Sequence, residues 1–181
     1  MRTSIGLLAL ALALGCSSDS TGPVNSTLQN DNFTSGTPAF QGGFGTGEAA
    51  AVRLGPQSSA FTIRQVVLLF GGDTATKTIT LTIYQDTGGT NPGVIIHSAD
   101  YSLKGNNSAF HAINLASQNL QVAANQMIRV AVFFQHTGAP SVAIDGALTV
   151  SRNFIFSGGW STAASVSFPG DFIIRTEIST P

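Results

Sequence analysis

Thr78-Ile79-Thr80-Leu81-Thr82-Ile83-Tyr84 is the stretch that decides the fold class. Ile79, Leu81 and Ile83 fall on one side of an extended chain, and Thr78, Thr80 and Thr82 on the other. Successive side chains of a strand point to opposite faces, so this period of two predicts a half-buried β-strand. The β-branched threonines suit its outward face. Ile128, Val130, Val132 and Phe134 alternate in the same way with Arg129, Ala131, Phe133 and Gln135, and Phe172 and Ile174 with Ile173, Arg175 and Glu177. Further strand candidates are 49–54, 60–70, 94–103, 109–115, 142–145 and 148–156. The run 60–70 is apolar on both sides, which predicts either a central strand or a bulge near Gln65.

Between these runs stand turn-forming residues. Gly71-Gly72-Asp73, Asp86-Thr87-Gly88-Gly89, Asn91-Pro92-Gly93, Gly105-Asn106-Asn107, Asp145-Gly146, Gly158-Gly159 and Pro169-Gly170 all combine Gly, Pro, Asn and Asp, which supply turn conformations or bond their own backbone. No helical stripe is visible beyond the N-terminus, although 117–125 has room for one short turn. The expectation is all-β: a single jelly-roll-like antiparallel β-sandwich of about eight to ten strands. The expected core is Phe61, Val67, Leu69, Ile79, Leu81, Ile83, Ile113, Leu115, Ile128, Val130, Val132, Phe134, Phe172 and Ile174. Segment 38–47 reads as a further edge strand.

The chain has 181 residues, a formal net charge of −1 and 9% charged residues, against roughly 25% in a typical soluble domain. Eight Lys and Arg spread singly make no basic patch, so nucleic acid is not an expected partner. The content of Phe, Ile and Val argues against disorder, and a single cysteine argues against a disulfide scaffold.

That cysteine has a telling position. Arg2 is followed by an apolar run over 5–14 and then by Gly15 and Cys16. About ten apolar residues are too few to span a membrane and fit a signal peptide. Ala13-Leu14-Gly15-Cys16 resembles the lipobox of bacterial lipoproteins. The resemblance implies cleavage after residue 15, acylation of Cys16 and attachment to a membrane through lipid. With Ser17 after the cysteine, it implies the outer membrane rather than the inner one. Several acyl chains anchor firmly where one does not. The organisation expected is therefore a signal peptide over 1–15, a lipidated N-terminus and flexible tether over 16–38, and the β-sandwich over 39–181.

Several elements together resemble an accessory β-sandwich of bacterial surface proteins. They are Ile79-Thr80-Leu81-Thr82-Ile83-Tyr84-Gln85-Asp86 with Asn91-Pro92-Gly93, Ala123 to Val132, Ala143-Ile144-Asp145, Gly158-Gly159-Trp160 and Asp171 to Arg175. Such domains are similar in shape to carbohydrate-binding modules. The resemblance covers about 60–178 and implies fold and location rather than an activity.

Residue chemistry supplies the candidate sites. Trp160 stands in a Gly-flanked loop, from which an aromatic side chain either stacks on a sugar or partner or folds back to cap the sandwich. Tyr84 and Tyr101 are its expected companions. Loop carboxylates at Asp73, Asp86 and Asp145 suit calcium or simple turn capping, and no other cofactor is expected. A hairpin turning at Gly105-Asn106 would place Asp100 opposite His111. Phe133 with Phe154 or Phe156 on outward faces would make an apolar surface patch, a sign of a contact site, unless 39–54 covers it. No nucleophile elbow and no local metal-ligand spacing among His97, His111 and His136 occurs, so no catalytic residue is expected. The function expected is non-catalytic recognition or attachment at the cell envelope, toward a glycan or another surface ligand. The alternative is a structural subunit that packs on a membrane complex or on itself.

Overall fold

A computed structural model describes residues 22–146, 149 and 151–181. The expected signal peptide over 1–15, Cys16 and the first part of the expected tether lie outside the described residues, as do positions 148 and 150 of one strand candidate. The strands are β1 (Val24–Leu28), β2 (Ala39–Phe40), β3 (Ala49–Leu54), β4 (Phe61–Leu68), β5 (Phe70–Gly71), β6 (Thr76–Asp86), β7 (Ile95–Lys104), β8 (His111–Asn114), β9 (Leu120–Val122), β10 (Met127–Phe134), β11 (Ser141–Ile144), β12 (Asn153–Phe156), β13 (Trp160–Thr162) and β14 (Ile174–Thr180). Four of them, β2, β5, β9 and β13, are only two or three residues long. The connections include two short 3-10 helices, Ala116–Gln118 and Ala163–Val166.

Two antiparallel sheets face each other. One runs β1-β14-β4-β8, with β9 also on β4; the other runs β13-β12-β3-β10-β6-β7. A small third sheet, β2-β11-β5, lies beside them. The architecture is an all-β sandwich. Its filling is what alternation dictates: Ile79, Leu81 and Ile83 of β6, Ile128, Val130, Val132 and Phe134 of β10, and Ile63, Val66, Leu68 and Ile174 of the facing sheet form one buried cluster. Each such burial stabilises the fold by about 1.5–3 kcal/mol relative to exposure. Segment 38–47 pairs only through Ala39 and Phe40, and then sends Phe44 into the core, where it stacks on Phe134 at 4.6 Å.

Four expectations need correction. Val67 is only half-buried, and Val66 and Leu68 take the core positions instead. The reason is the bulge: Gln65 pairs with Glu177 but Ile63 pairs with Ile178, which leaves Arg64 as the extra residue and flips the phase of the strand. Strand candidate 148–156 contributes its strand only from Asn153.

The third correction concerns the tether, which does not run to residue 38. Val24 to Leu28 pair along their whole length with β14. Beyond them Asp31, 1% exposed, takes Arg175 Nε on both carboxylate oxygens at 3.1 Å. A buried carboxylate needs such a partner, and this one ties the N-terminal segment to the last strand.

The fourth is the Asp100–His111 hairpin. β7 pairs with β6, where Asp100 faces Thr80, whereas β8 pairs with β4, where His111 faces Leu68. The chain crosses between sheets at Gly105, whose N–H bonds Ala75 O at 2.9 Å. A Cβ at Gly105 would lie 1.9 Å from Asp73 O, so only glycine fits this crossing.

Candidate functional site on the outer face of the six-stranded sheet

The inward residues of the six-stranded sheet fill the core, so the outward ones define its other face. From the β13 edge inward they include Trp160, Phe156 and Phe154, then Ala49, Ala51 and Arg53, then Arg129, Ala131 and Phe133. Beyond these come Thr78, Thr80, Thr82 and Tyr84 of β6 and Ser98, Asp100 and Ser102 of β7. An outward face is usually polar where it meets water. Here the half nearer β13 is aromatic.

Small residues make this possible. Ala51 and Ala131 sit side by side at the centre of the sheet, fully buried. They leave a trough into which Phe154 packs, with Tyr84, Phe133 and Trp160 around it. Trp160 meets Phe156 at 5.3 Å, Phe133 at 6.0 Å and Tyr84 at 6.1 Å between ring centroids. Phe133 and Phe156 are 5.6 Å apart. The interplanar angles among these four pairs run from 59° to 87°. Such edge-to-face pairs are favoured by the ring quadrupoles. Trp160, Phe133, Phe156 and Tyr84 all remain partly exposed.

Under the rings lies a charged network. Arg53 and Arg129 stand directly opposite each other in β3 and β10, a placement that like charges alone would destabilise. Asp86, at the end of β6, offsets this. Its Oδ1 accepts from Arg53 Nε at 2.9 Å and its Oδ2 from Arg129 Nε at 2.6 Å. The remaining guanidinium groups hold the following turn. Arg129 donates to Thr90 O at 2.6 Å and Gly89 O at 2.9 Å. Arg53 donates to Ser151 O at 3.0 Å and also to Gly89 O. Arg129 Cζ lies 3.6 Å from the centroid of Phe154 and 5.3 Å from that of Trp160, and Arg53 Cζ lies 4.7 Å from Phe154. These are cation–π contacts in a dry setting, where they are strongest. Burial pulls Arg129 below its ordinary value, and the hydrogen bond and charge of Asp86 oppose that shift. Burial also raises the Tyr84 phenol, against the pull of Arg129.

The half nearer β7 is a ladder of hydroxyls. Thr82 and Ser98 share a hydrogen bond at 3.0 Å, and Thr78 and Ser102 one at 3.5 Å. Between them Thr80 Oγ1 donates to Asp100 Oδ1 at 2.6 Å and accepts from Gln135 Nε2 at 2.6 Å.

The face brings together some expected residues and parts others. Trp160 and Tyr84 meet, and Phe133, Phe154 and Phe156 all lie on the outward side, with β3 inside the sheet instead of covering them. Tyr101 does not join them. It pairs with Ile79, so it points to the core side, where it packs on the main cluster and bonds His97 Nε2 at 3.1 Å. Asp86 takes the turn-capping alternative, its Oδ1 accepting from Gly88 N at 2.7 Å, and two guanidinium groups engage its carboxylate as well. Asp73 caps its own turn, accepting from Thr74 N at 2.5 Å and Ala75 N at 3.2 Å. Asp145 accepts from Asn32 N at 2.7 Å and Asp171 N at 3.2 Å. Among the described residues no group of three or more His, Cys, Asp or Glu could hold a metal ion.

Arg53 and Arg129, buried beneath the candidate face, are the residues of it that sequence reasoning missed. Their signal was present: each is a lone cation inside an otherwise apolar strand, Ala49-Ala50-Ala51-Val52-Arg53-Leu54 and Ile128-Arg129-Val130-Ala131-Val132. Such a residue implies a buried counter-charge.

No family model matches the chain, and no curated protein matches it. Among solved structures it is similar to the cysteine protease and lectin-like domains of Cwp84, a surface-layer-associated protein of Clostridium difficile, with a TM-score of 0.56 and 11% identity. The match covers 75% of this chain and 32% of that one, so this chain spans about a third of its structural neighbour. At that identity the likeness is one of fold.

Proposed function

We propose that this protein is a non-catalytic recognition module whose outer sheet face binds a glycan, and that a lipid on Cys16 holds it at the outer membrane. The observation that carries the binding reading is the partly exposed cluster of Trp160, Phe156, Phe133 and Tyr84, held from beneath by Arg129 and Phe154. Aromatic rings present flat apolar surface at little cost in side-chain freedom, and a rigid base preorganises them. The structural neighbour includes a lectin-like domain on a surface protein, which agrees with a binding role. The non-catalytic reading is supported by how the buried acids are engaged: Asp31 by Arg175, Asp86 by two arginines, and Asp171 by Thr149 and Asn153. Burial also raises Asp171, and the hydrogen bonds from Thr149 and Asn153 oppose it.

The lipid anchor rests on the sequence around Cys16 alone. Two measurements test the whole reading. Trp160→Ala should abolish retention on an immobilised glycan that retains the parent protein, with the folded β-sheet circular dichroism spectrum kept; equal retention would overturn the binding site. Cys16→Ser should move the protein from the membrane fraction to the soluble one; unchanged fractionation would overturn the anchor.

One observation favours a second reading, in which the sandwich is an assembly subunit. β7 is a ten-residue strand at the end of its sheet, and Val94 and Ile95 at its start are 64% and 58% exposed. Unpaired strand edges of this kind recruit other strands. A monomeric mass by light scattering across a wide concentration range would argue against self-association.

A further inference from the structure

Charge and ring geometry narrow the class of glycan, and this narrowing rests on the glycan reading itself. Of the outer-face cations, Arg53 and Arg129 are buried, and their donors are engaged by Asp86 and by backbone carbonyls, while Lys104 is exposed at one end of β7. The ionised side chains around the face that remain are two carboxylates and, two residues before Phe154, Arg152, whose Nη1 donates to Gly55 O at 2.7 Å. Asp100 is exposed on β7, and Glu48 borders the cluster through Ser157, which follows Phe156. Lys104 stands at the far end of β7, opposite Thr76 and beyond Ser102. An acidic polymer laid across the strands would therefore meet a carboxylate at each end of its path, Glu48 by the rings and Asp100 on β7.

Ring geometry narrows the class again. A crystalline polysaccharide surface presents a plane and needs coplanar rings to meet it. The exposed rings here lie at 59° to 87° to one another, so they form a faceted cluster. Facets suit a single chain whose successive rings turn. The acceptors needed for sugar hydroxyls lie across the strands from the cluster. Asp100 Oδ2 and Gln135 Oε1 accept no hydrogen bond among the described residues, while the other ends of both groups are fixed on Thr80. Six strands at about 4.8 Å spacing make a face about 24 Å wide, long enough for several sugar rings.

We propose that this face takes a single neutral glycan chain laid across the strands, stacked on Trp160 and Phe156 at one end and hydrogen-bonded to Asp100 and Gln135 at the other. The test is affinity gel electrophoresis of the full chain in mild detergent. Soluble neutral polysaccharides (hydroxyethyl cellulose, galactomannan, xylan, laminarin, dextran) are compared with acidic ones (alginate, polygalacturonate), alongside pull-down on crystalline cellulose and chitin. Retardation by at least one soluble neutral polymer is expected, unchanged at high salt. The double variant Asp100→Ala, Gln135→Ala should weaken it about tenfold with an unchanged melting temperature, and Trp160→Ala should abolish it. Retardation by acidic polymers alone would overturn neutrality, and binding to crystalline solids alone would overturn the single chain, while either leaves the glycan reading standing. Loss on Trp160→Ala with no effect of the double variant would overturn the path across the strands. Binding to none of these polymers or solids would overturn the proposal together with the glycan reading.

Discussion

Across β3, β10, β12 and β13 the outward positions hold Arg53, Arg129, Ala131, Phe133, Phe154 and Trp160; across β6 and β7 most of them hold Thr78, Thr80, Thr82, Ser98, Asp100 and Ser102. Both sets occupy one face of one sheet, with the same core behind it. In the first set the side chains bury one another: Arg129 and Phe154 are almost wholly inaccessible although, among the described residues, no further layer of strands lies over them. In the second most side chains stay wet and bond sideways along the ladder. The comparison teaches that a sheet face can acquire a second, thin core of its own. Its floor is alanine, its walls are aromatic, and its two cations share one carboxylate from within.

Breaking the balance should produce the largest effect. Asp86→Asn leaves two buried guanidinium groups facing each other without a counter-charge, and removing one partner of a buried ion pair costs about 3–5 kcal/mol. Urea denaturation should show a loss of that size, and a loss no greater than that of a surface substitution would mean that the network is not structural. Thinning the walls comes next. Phe133→Ala should cost about 2 kcal/mol, less than the range for a fully buried Phe because this ring is only half-covered. Thr80→Ala in the wet half should stay within about 0.5 kcal/mol. Equal costs for the two would erase the distinction between the halves.

The smallest effect is one of acidity. Burial holds His97 and His136 below their ordinary value of 6.5. The unfolded chain therefore takes up these protons first, so stability is full above that value and falls as the pH drops through and below it. Neither histidine belongs to the outer face: His97 pairs with Ile83 on the core side, and His136 packs on Phe70 and Phe134. Melting temperature should decline from pH 7.5 to 5.5 while affinity for a neutral ligand holds. Parallel decline of both would link the face to the histidines behind it.

Much of the fold could be read from the sequence because alternation is local. β3 coincides with its expected 49–54, and β6 and β10 carry their expected inward residues without exception. Even the bulge in β4 left a trace, as a run too apolar to alternate. β1 left none. Four of its five residues are exposed, so Val24-Asn25-Ser26-Thr27-Leu28 has no buried stripe, and its partner lies at the other end of the chain. The same limit hid the ion pair of Asp31 with Arg175, which are 144 residues apart. At the site, Trp160 and Tyr84 were legible as aromatic residues near turns. Which face each tyrosine took depended on register, and that separated Tyr101 from Tyr84. Turn capping at Asp86 is local and legible, as its bond from Gly88 N shows, whereas its pairing with Arg53 and Arg129 depends on other strands and is not.

The pairing of β1 with β14 also sets how the molecule can be hung. Val24 lies opposite Thr180, and Thr180 Oγ1 donates to Val24 O at 3.3 Å. Both ends of the domain therefore emerge from one corner, on the sheet that does not carry the aromatic face. Seven residues lie between Cys16 and Val24, so the two can be at most about 28 Å apart along the chain. Whatever pulls on either end loads the five rungs between the outermost strand and its neighbour. The face on the other sheet is mechanically remote from that corner, so a tether, a tag or a neighbouring domain can be attached there without crossing it.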